Sequence, residues 1–224
     1  MANPIKATFT TPDGVDIAGL YRAAAKPRGV VLLVHMMPAT KESWDGFAER
    51  LAERGWSSLA IDLRGHGESV RQVRRHLDYR DFKDEEHRSS TLDLETSALW
   101  IRAETGFGFD RLRLAGASIG ANLALDFAAQ HGEVERVLAL SPGLNYHSLT
   151  PEIGFSAYRP GQCLMLAASE EDAYAYSSAL ELARIPTSAV VSVKKLHAAG
   201  HGTAMLERDP ALMDEVADWL CVGS

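Results

Sequence analysis

Cysteine is scarce. Two in 224 residues cannot make a disulfide framework, and neither Cys163, inside the apolar run QCLMLAA, nor Cys221, beside the C-terminus, has the spacing of a zinc knuckle. That usage fits a reducing compartment, so the expected location is the cytoplasm. The opening MANPIKATFTTPDG lacks the basic start and apolar stretch of a signal peptide, and the longest apolar run, near VVLLVHMM, is far short of a membrane span. Basic charge is also in deficit. With 23 Lys and Arg against 30 Asp and Glu, a net charge of -7, the chain gains no counterion release from nucleic acid or an anionic membrane. The basic run RQVRR at 71–75 is soon followed by DFKDEEH, as in a solvated surface loop. No repeat of 20 to 50 residues, low-complexity tract, phosphate-cradling Gly-rich loop or dinucleotide fingerprint stands out. His197 and His201 lie four apart, but the AAG between them breaks a helix, so no metal and no cofactor is expected.

With 46% hydrophobic residues there is enough apolar material for one large core, and a single domain over 1–224 is expected. Two alternating stretches, IKATFTT and VDIAGLYRA, flank the turn signal PDG and read as an antiparallel hairpin. The pattern then changes. GVVLLVHMM is a continuous apolar run, as in a parallel strand covered on both faces, and a helix is expected over 41–54. SSLAIDL, LRLAGA, RVLALS, CLMLAAS and SAVVSVKKL read as further strands. Helices are expected over DEEHRSSTLDLETSALWIRAET, 119–130, 173–183 and DPALMDEVADWLC, the last with Asp209 as N-cap and Pro210 following. Strands alternating with helices make an α/β protein with a mostly parallel, doubly wound sheet of about eight strands.

Within LRLAGASIGANLAL, Ser118 stands between Gly116 and Gly120. Such a match arises by chance in roughly one chain in ten of this length, so its setting matters more than the pentapeptide. Ser118 directly follows a buried strand and directly precedes a helix, the context of a nucleophile elbow. The helix start offers unpaired N–H groups where an oxyanion would form. The bland reading is a helix N-cap.

A serine hydroxyl needs a base and a group to orient that base. His201, in LHAAGHGTAML, follows the last strand on a Gly-flanked loop, and Asp172, in LAASEEDAY, follows the strand before it. Catalytic groups of open parallel sheets gather at that edge. Glu170 and Glu171 adjoin Asp172 as alternative acids, Glu171 first.

The order Ser118, Asp172, His201 and the motifs LLVHMMP, DLRGHGES, GASIG, SEEDAY and GHGTAML together resemble the α/β-hydrolases along nearly the whole chain. The resemblance implies that fold and assigns the base to the last motif. It also implies oxyanion-hole N–H groups from Met37 and Ile119. Here Met36 stands where the family often has glycine, a departure that leaves a backbone donor intact. Met36 and Met37 line the acyl pocket or belong to the core. His35 is expected to support the loop by a hydrogen bond, and His66 to be structural.

Where many members insert a helical cap, this chain has about twenty residues, 141–161, too few for a separate cap domain and expected to form a loop over the site. That loop brings Tyr146, His147 or Tyr158 toward substrate, or simply connects. The segment 70–84 is expected to be a polar rim of the entrance. The uncapped form resembles the dienelactone-hydrolase-like and small carboxylesterase branches, although dienelactone hydrolases use cysteine where this chain has Ser118. The expected activity is a serine hydrolase of the carboxylesterase type acting on a small ester-type substrate. Thioester, lactone and peptide bonds share that chemistry, and a non-catalytic ligand-binding protein on the same fold is the rival of another class. Oligomeric state is not legible.

Overall fold

The computed structural model describes residues 3–223. Strands β1 (Ile5–Thr10) and β2 (Val15–Arg22) form the expected antiparallel hairpin. The apolar runs come next as β3 (Val30–Val34) and β4 (Ser57–Ile61), and α1 (Asp45–Glu53) connects them, entered through a 3-10 turn at Lys41–Trp44. The polar segment holds a small hairpin of β5 (Arg71–Gln72) and β6 (Arg75–His76), which pairs with β2. The second half alternates α2 (Asp84–Arg88), α3 (Thr91–Thr105), β7 (Leu112–Ala117), α4 (Ile119–Gln130), β8 (Arg136–Leu140), β9 (Cys163–Ser169), α5 (Ala173–Leu182), β10 (Val190–Leu196), α6 (Ala204–Arg208) and α7 (Pro210–Cys221).

These strands make one ten-stranded sheet in the order β10-β9-β8-β7-β3-β4-β2-β5-β6, with β1 beside β2. Pairing is parallel from β4 through β3, β7, β8 and β9 to β10, and antiparallel around β2. The sheet has two strands more than expected because 70–84, read as loop, closes the two-residue pair.

The other difference is a break in the expected helix over 84–105. Ser89 Oγ donates back to the Glu85 carbonyl and Thr91 Oγ1 to that of Arg88, so hydroxyls compete for the helix's own acceptors and the chain turns between α2 and α3.

Alternation along the central strands divides the interior. Val30, Leu32 and Val34 face the cluster made with α3, α4 and α5, while Val31 and Leu33 face the one made with α1, α6 and α7. Residues 141–161 form a tight turn and a 3-10 helix, Pro151–Ala157, lying on α4.

The parallel register aligns the strand ends. Val34 lies opposite Gly116, Ala117 opposite Leu140, Leu140 opposite Ala167, and Ser169 opposite Leu196. Loops carrying His35, Ser118, Ser141, Asp172 and His201 therefore leave the sheet side by side at one edge.

Candidate active site

Ser118 sits between β7 and α4 with φ 54 and ψ -119, a conformation that costs an L-residue strain energy and persists only where surrounding bonds dictate it. They do so here. Its N–H donates to the Leu140 carbonyl at 2.8 Å, and its own carbonyl accepts from Ala121 and Asn122 at 2.9 and 3.2 Å. The flanking glycines are needed for closeness: a Cβ on Gly116 would meet the Gly120 backbone, and one on Gly120 would meet the Val34 and His35 carbonyls. The residue is largely buried, with 9% of its surface exposed.

Asp172 is the N-cap of α5, with Oδ1 accepting from Ala175. Its Oδ2 lies 2.5 Å from His201 Nδ1. A carboxylate at Nδ1 accepts a hydrogen bond from Nδ1–H and so leaves Nε2 as the lone-pair nitrogen. Glu171 points elsewhere, to Arg208 at 3.2 Å, and Glu170 pairs with His197 at 3.0 Å. The His201 loop is tied to the Ser118 side of the edge: Gly202 N–H donates to Ser141 Oγ at 2.9 Å, and a Cβ on Gly202 would stand 3.3 Å from that of Ala117.

His35 is fully buried. It accepts the Leu63 N–H at Nε2 (3.0 Å), which leaves Nδ1 to donate to the Met36 carbonyl (2.9 Å). Burial, with His66 beside it, lowers its pKa to about 3. The neutral ring thus brackets the loop carrying Met37, whose peptide bond to Pro38 is cis. Neither the Met37 nor the Ile119 backbone N–H has an acceptor among the described residues. Met36 packs against the His201 side, with its sulfur facing Gly202, and Met37 against the opposite cluster.

The DLRGHGES segment is a structural knot behind this loop. Buried Asp62 binds Lys41 Nζ at 2.6 Å and the N–H groups of Lys41 and Glu68 at 2.9 Å. Arg64 joins Asp93 and Asp13. His66 donates to the Arg64 carbonyl and stacks on Tyr79 at 3.9 Å.

The loop over 141–161 divides its expected contacts. Tyr146 turns inward: its hydroxyl donates to the Ser141 carbonyl at 3.4 Å, beside the Ser118 turn. His147 turns outward, stacked on His87 at 4.0 Å and 3.7 Å from Asp84, so it is not brought to Ser118. Tyr158 is buried, bonding the Leu125 carbonyl at 2.7 Å.

Three residues of this edge escaped sequence reasoning. Asn122 holds the loop through Gly143 N–H at 3.0 Å and the Gly143 and Leu149 carbonyls at 2.9 Å. Its signal was an amide within the apolar first half of α4, IGANLAL. Ser141 and Tyr174 gave no signal, because their contacts depend on strand register and loop path.

A family model described as the alpha/beta hydrolase fold matches residues 29–153. No curated protein matches the sequence. Among solved structures, a dienelactone hydrolase of Anabaena variabilis is similar at TM-score 0.70 and 21% identity, covering 98% of this chain and 96% of that one. An esterase of Pyrococcus furiosus is similar at TM-score 0.71 and 16% identity over 97% and 91%. An alpha/beta hydrolase of a Penicillium species reaches TM-score 0.79 at 14% identity over 98% of each chain. At these identities the likeness is one of fold.

Proposed function

The chain belongs to the alpha/beta hydrolase fold family, and from that premise we propose that it is a serine hydrolase cleaving a carboxylic ester of a small molecule. The observation that carries the reading is the 2.5 Å contact of His201 Nδ1 with Asp172 Oδ2, at the same sheet edge as the strained Ser118 turn. In this reading Asp172 fixes the imidazole, Nε2 of His201 takes the Ser118 proton, and Oγ attacks the ester carbonyl. Charge moves to the carbonyl oxygen, where the unpaired Met37 and Ile119 N–H groups receive it. The tetrahedral intermediate collapses as His201 returns the proton to the leaving alcohol. Water then repeats the sequence on the acyl-enzyme. The single-domain arrangement belongs to the same proposal, with the edge loops, Met36 among them, forming the substrate's surroundings.

A fluorophosphonate should label the wild-type protein and leave Ser118→Ala unlabelled, and hydrolysis of p-nitrophenyl esters should fall by at least about 10³-fold in that variant. Equal labelling of both proteins would overturn the assignment. A chain-length series on activated esters and thioesters then measures the acyl pocket.

A further inference from the structure

The proposed base has to come from the far edge of the sheet. In the order β10-β9-β8-β7, His201 follows β10 and Ser118 follows β7, three strand spacings or about 14 Å away. The chain leaving Leu196 therefore runs across the ends of β9 and β8. Two fully buried serines meet it there. Ser169, the last residue of β9, accepts the Ala199 N–H on Oγ at 2.9 Å, and Ser141, directly after β8, accepts the Gly202 N–H on Oγ at 2.9 Å. Ser169 has a second task, since its carbonyl accepts the Asp172 N–H at 2.9 Å and ties the turn of the acid to the same residue. The fastened loop turns sharply, with Ala198, Gly200 and Gly202 at φ of 50, 91 and 57. Ser141 is itself at φ 51, where glycine would sit without strain but would bring no hydroxyl. Its N–H is spent on the Ala167 carbonyl at 2.7 Å, so the side chain is what it offers the loop.

We propose that Ser141 and Ser169 are positioning residues for the base: their hydroxyls fasten the loop on either side of His201 and hold its imidazole in line with Asp172 and Ser118. The proposal rests on Ser118, Asp172 and His201 acting together as the serine-hydrolase reading has them. Ala199 lies two residues before His201 and Gly202 one after, so the two bonds fix the backbone from which the imidazole hangs. The contact of Nδ1 with Asp172 holds the ring at one point, about which it could still swing. Fastening both flanks of the backbone removes that freedom. What is at stake is placement, because displacing a reacting group by about 1 Å costs roughly 10²-fold in rate. Neither serine touches substrate or moves a proton.

The test separates placement from stability. Ser141→Ala and Ser169→Ala should each lower kcat on a p-nitrophenyl ester roughly 10- to 100-fold, with KM held within about threefold. Ser141→Gly is the sharper variant. It relieves the left-handed strain, so its urea midpoint should exceed that of Ser141→Ala, yet its kcat should be just as low. In the proton spectrum of the free protein, the far-downfield resonance of His201 Nδ1–H, assigned by its loss in His201→Ala, should broaden or move upfield in all three variants. Ser178→Ala removes a buried hydroxyl of α5 that has no hydrogen-bond partner among the described residues, and it should leave kcat and that resonance as in the wild type. Wild-type kcat in the alanine variants, activity regained in Ser141→Gly along with stability, or an unmoved resonance would overturn the proposal. If a fluorophosphonate did not label the wild type at Ser118, the parent reading would fall instead, and the resonance would still test the fastening.

Discussion

With both ring nitrogens committed, His35 serves as a bracket between the exits of β3 and β4 and not as a base. His35→Ala would strand the Leu63 N–H and the Met36 carbonyl in the interior, a loss of about 2–3 kcal/mol visible in urea denaturation. Because Met37 comes directly after that carbonyl, kcat on an activated ester should fall more than KM rises. At the acid position, Asp172→Asn should lower kcat roughly 10³- to 10⁴-fold by disturbing the imidazole's tautomer. Glu171→Gln, which breaks only an exposed pair with Arg208, should stay within about twofold. Ser118, Asp172 and His201 stood out as candidates because each follows a recognisable strand, Ser118 at once, Asp172 three residues after Ser169 and His201 five after Leu196. Tyr146 emerged from the sequence only as one aromatic among several in a loop, and no pattern separated it from Tyr158. The difference is set by Asn122 and Tyr174, whose side chains fasten the turn from distant positions.

Among the elements, strands and the helix after Ser118 were legible because their signals are local: unbroken β-branched runs, and an elbow that fixes where α4 begins. The α2–α3 break and the β5–β6 pair were not, since one depends on hydroxyls turning back to carbonyls and the other on β2 offering a free edge. The contact of α4 with β3 gives a test of opposing effects. Gly120→Ala gains about 1 kcal/mol in helix propensity, but its methyl would stand 2.6 Å from the His35 carbonyl, which the strand cannot easily withdraw. Overpacking against backbone should prevail by about 2 kcal/mol net. The expected result is a lower urea midpoint together with slower fluorophosphonate labelling, as the elbow is pushed off β3.

Across the molecule, the pH dependence of stability has one accessible handle. Asp126 on α4 has its carboxyl pushed up to about 6 by burial, with Glu152 of the overlying loop adding repulsion. Unfolded, the group returns to about 3.9. Between those values the folded protein keeps a proton that the unfolded chain has lost, so this group's own contribution to stability is most favourable below about pH 4 and worsens as pH rises to 6. Asp126→Asn should flatten that window and raise stability at pH 7 by about 1–2 kcal/mol, measured as ΔG of unfolding against pH.

The position of β3, between β4 and β7, also has a consequence in time. One neighbour comes soon after it along the chain, but the other begins 78 residues after Val34, at Leu112. At ribosomal speeds that gap lasts roughly 4–16 s. Through that interval the all-apolar VVLLV strand has one open edge, so slower growth and a chaperone that shields nascent strands should raise the soluble yield of this protein.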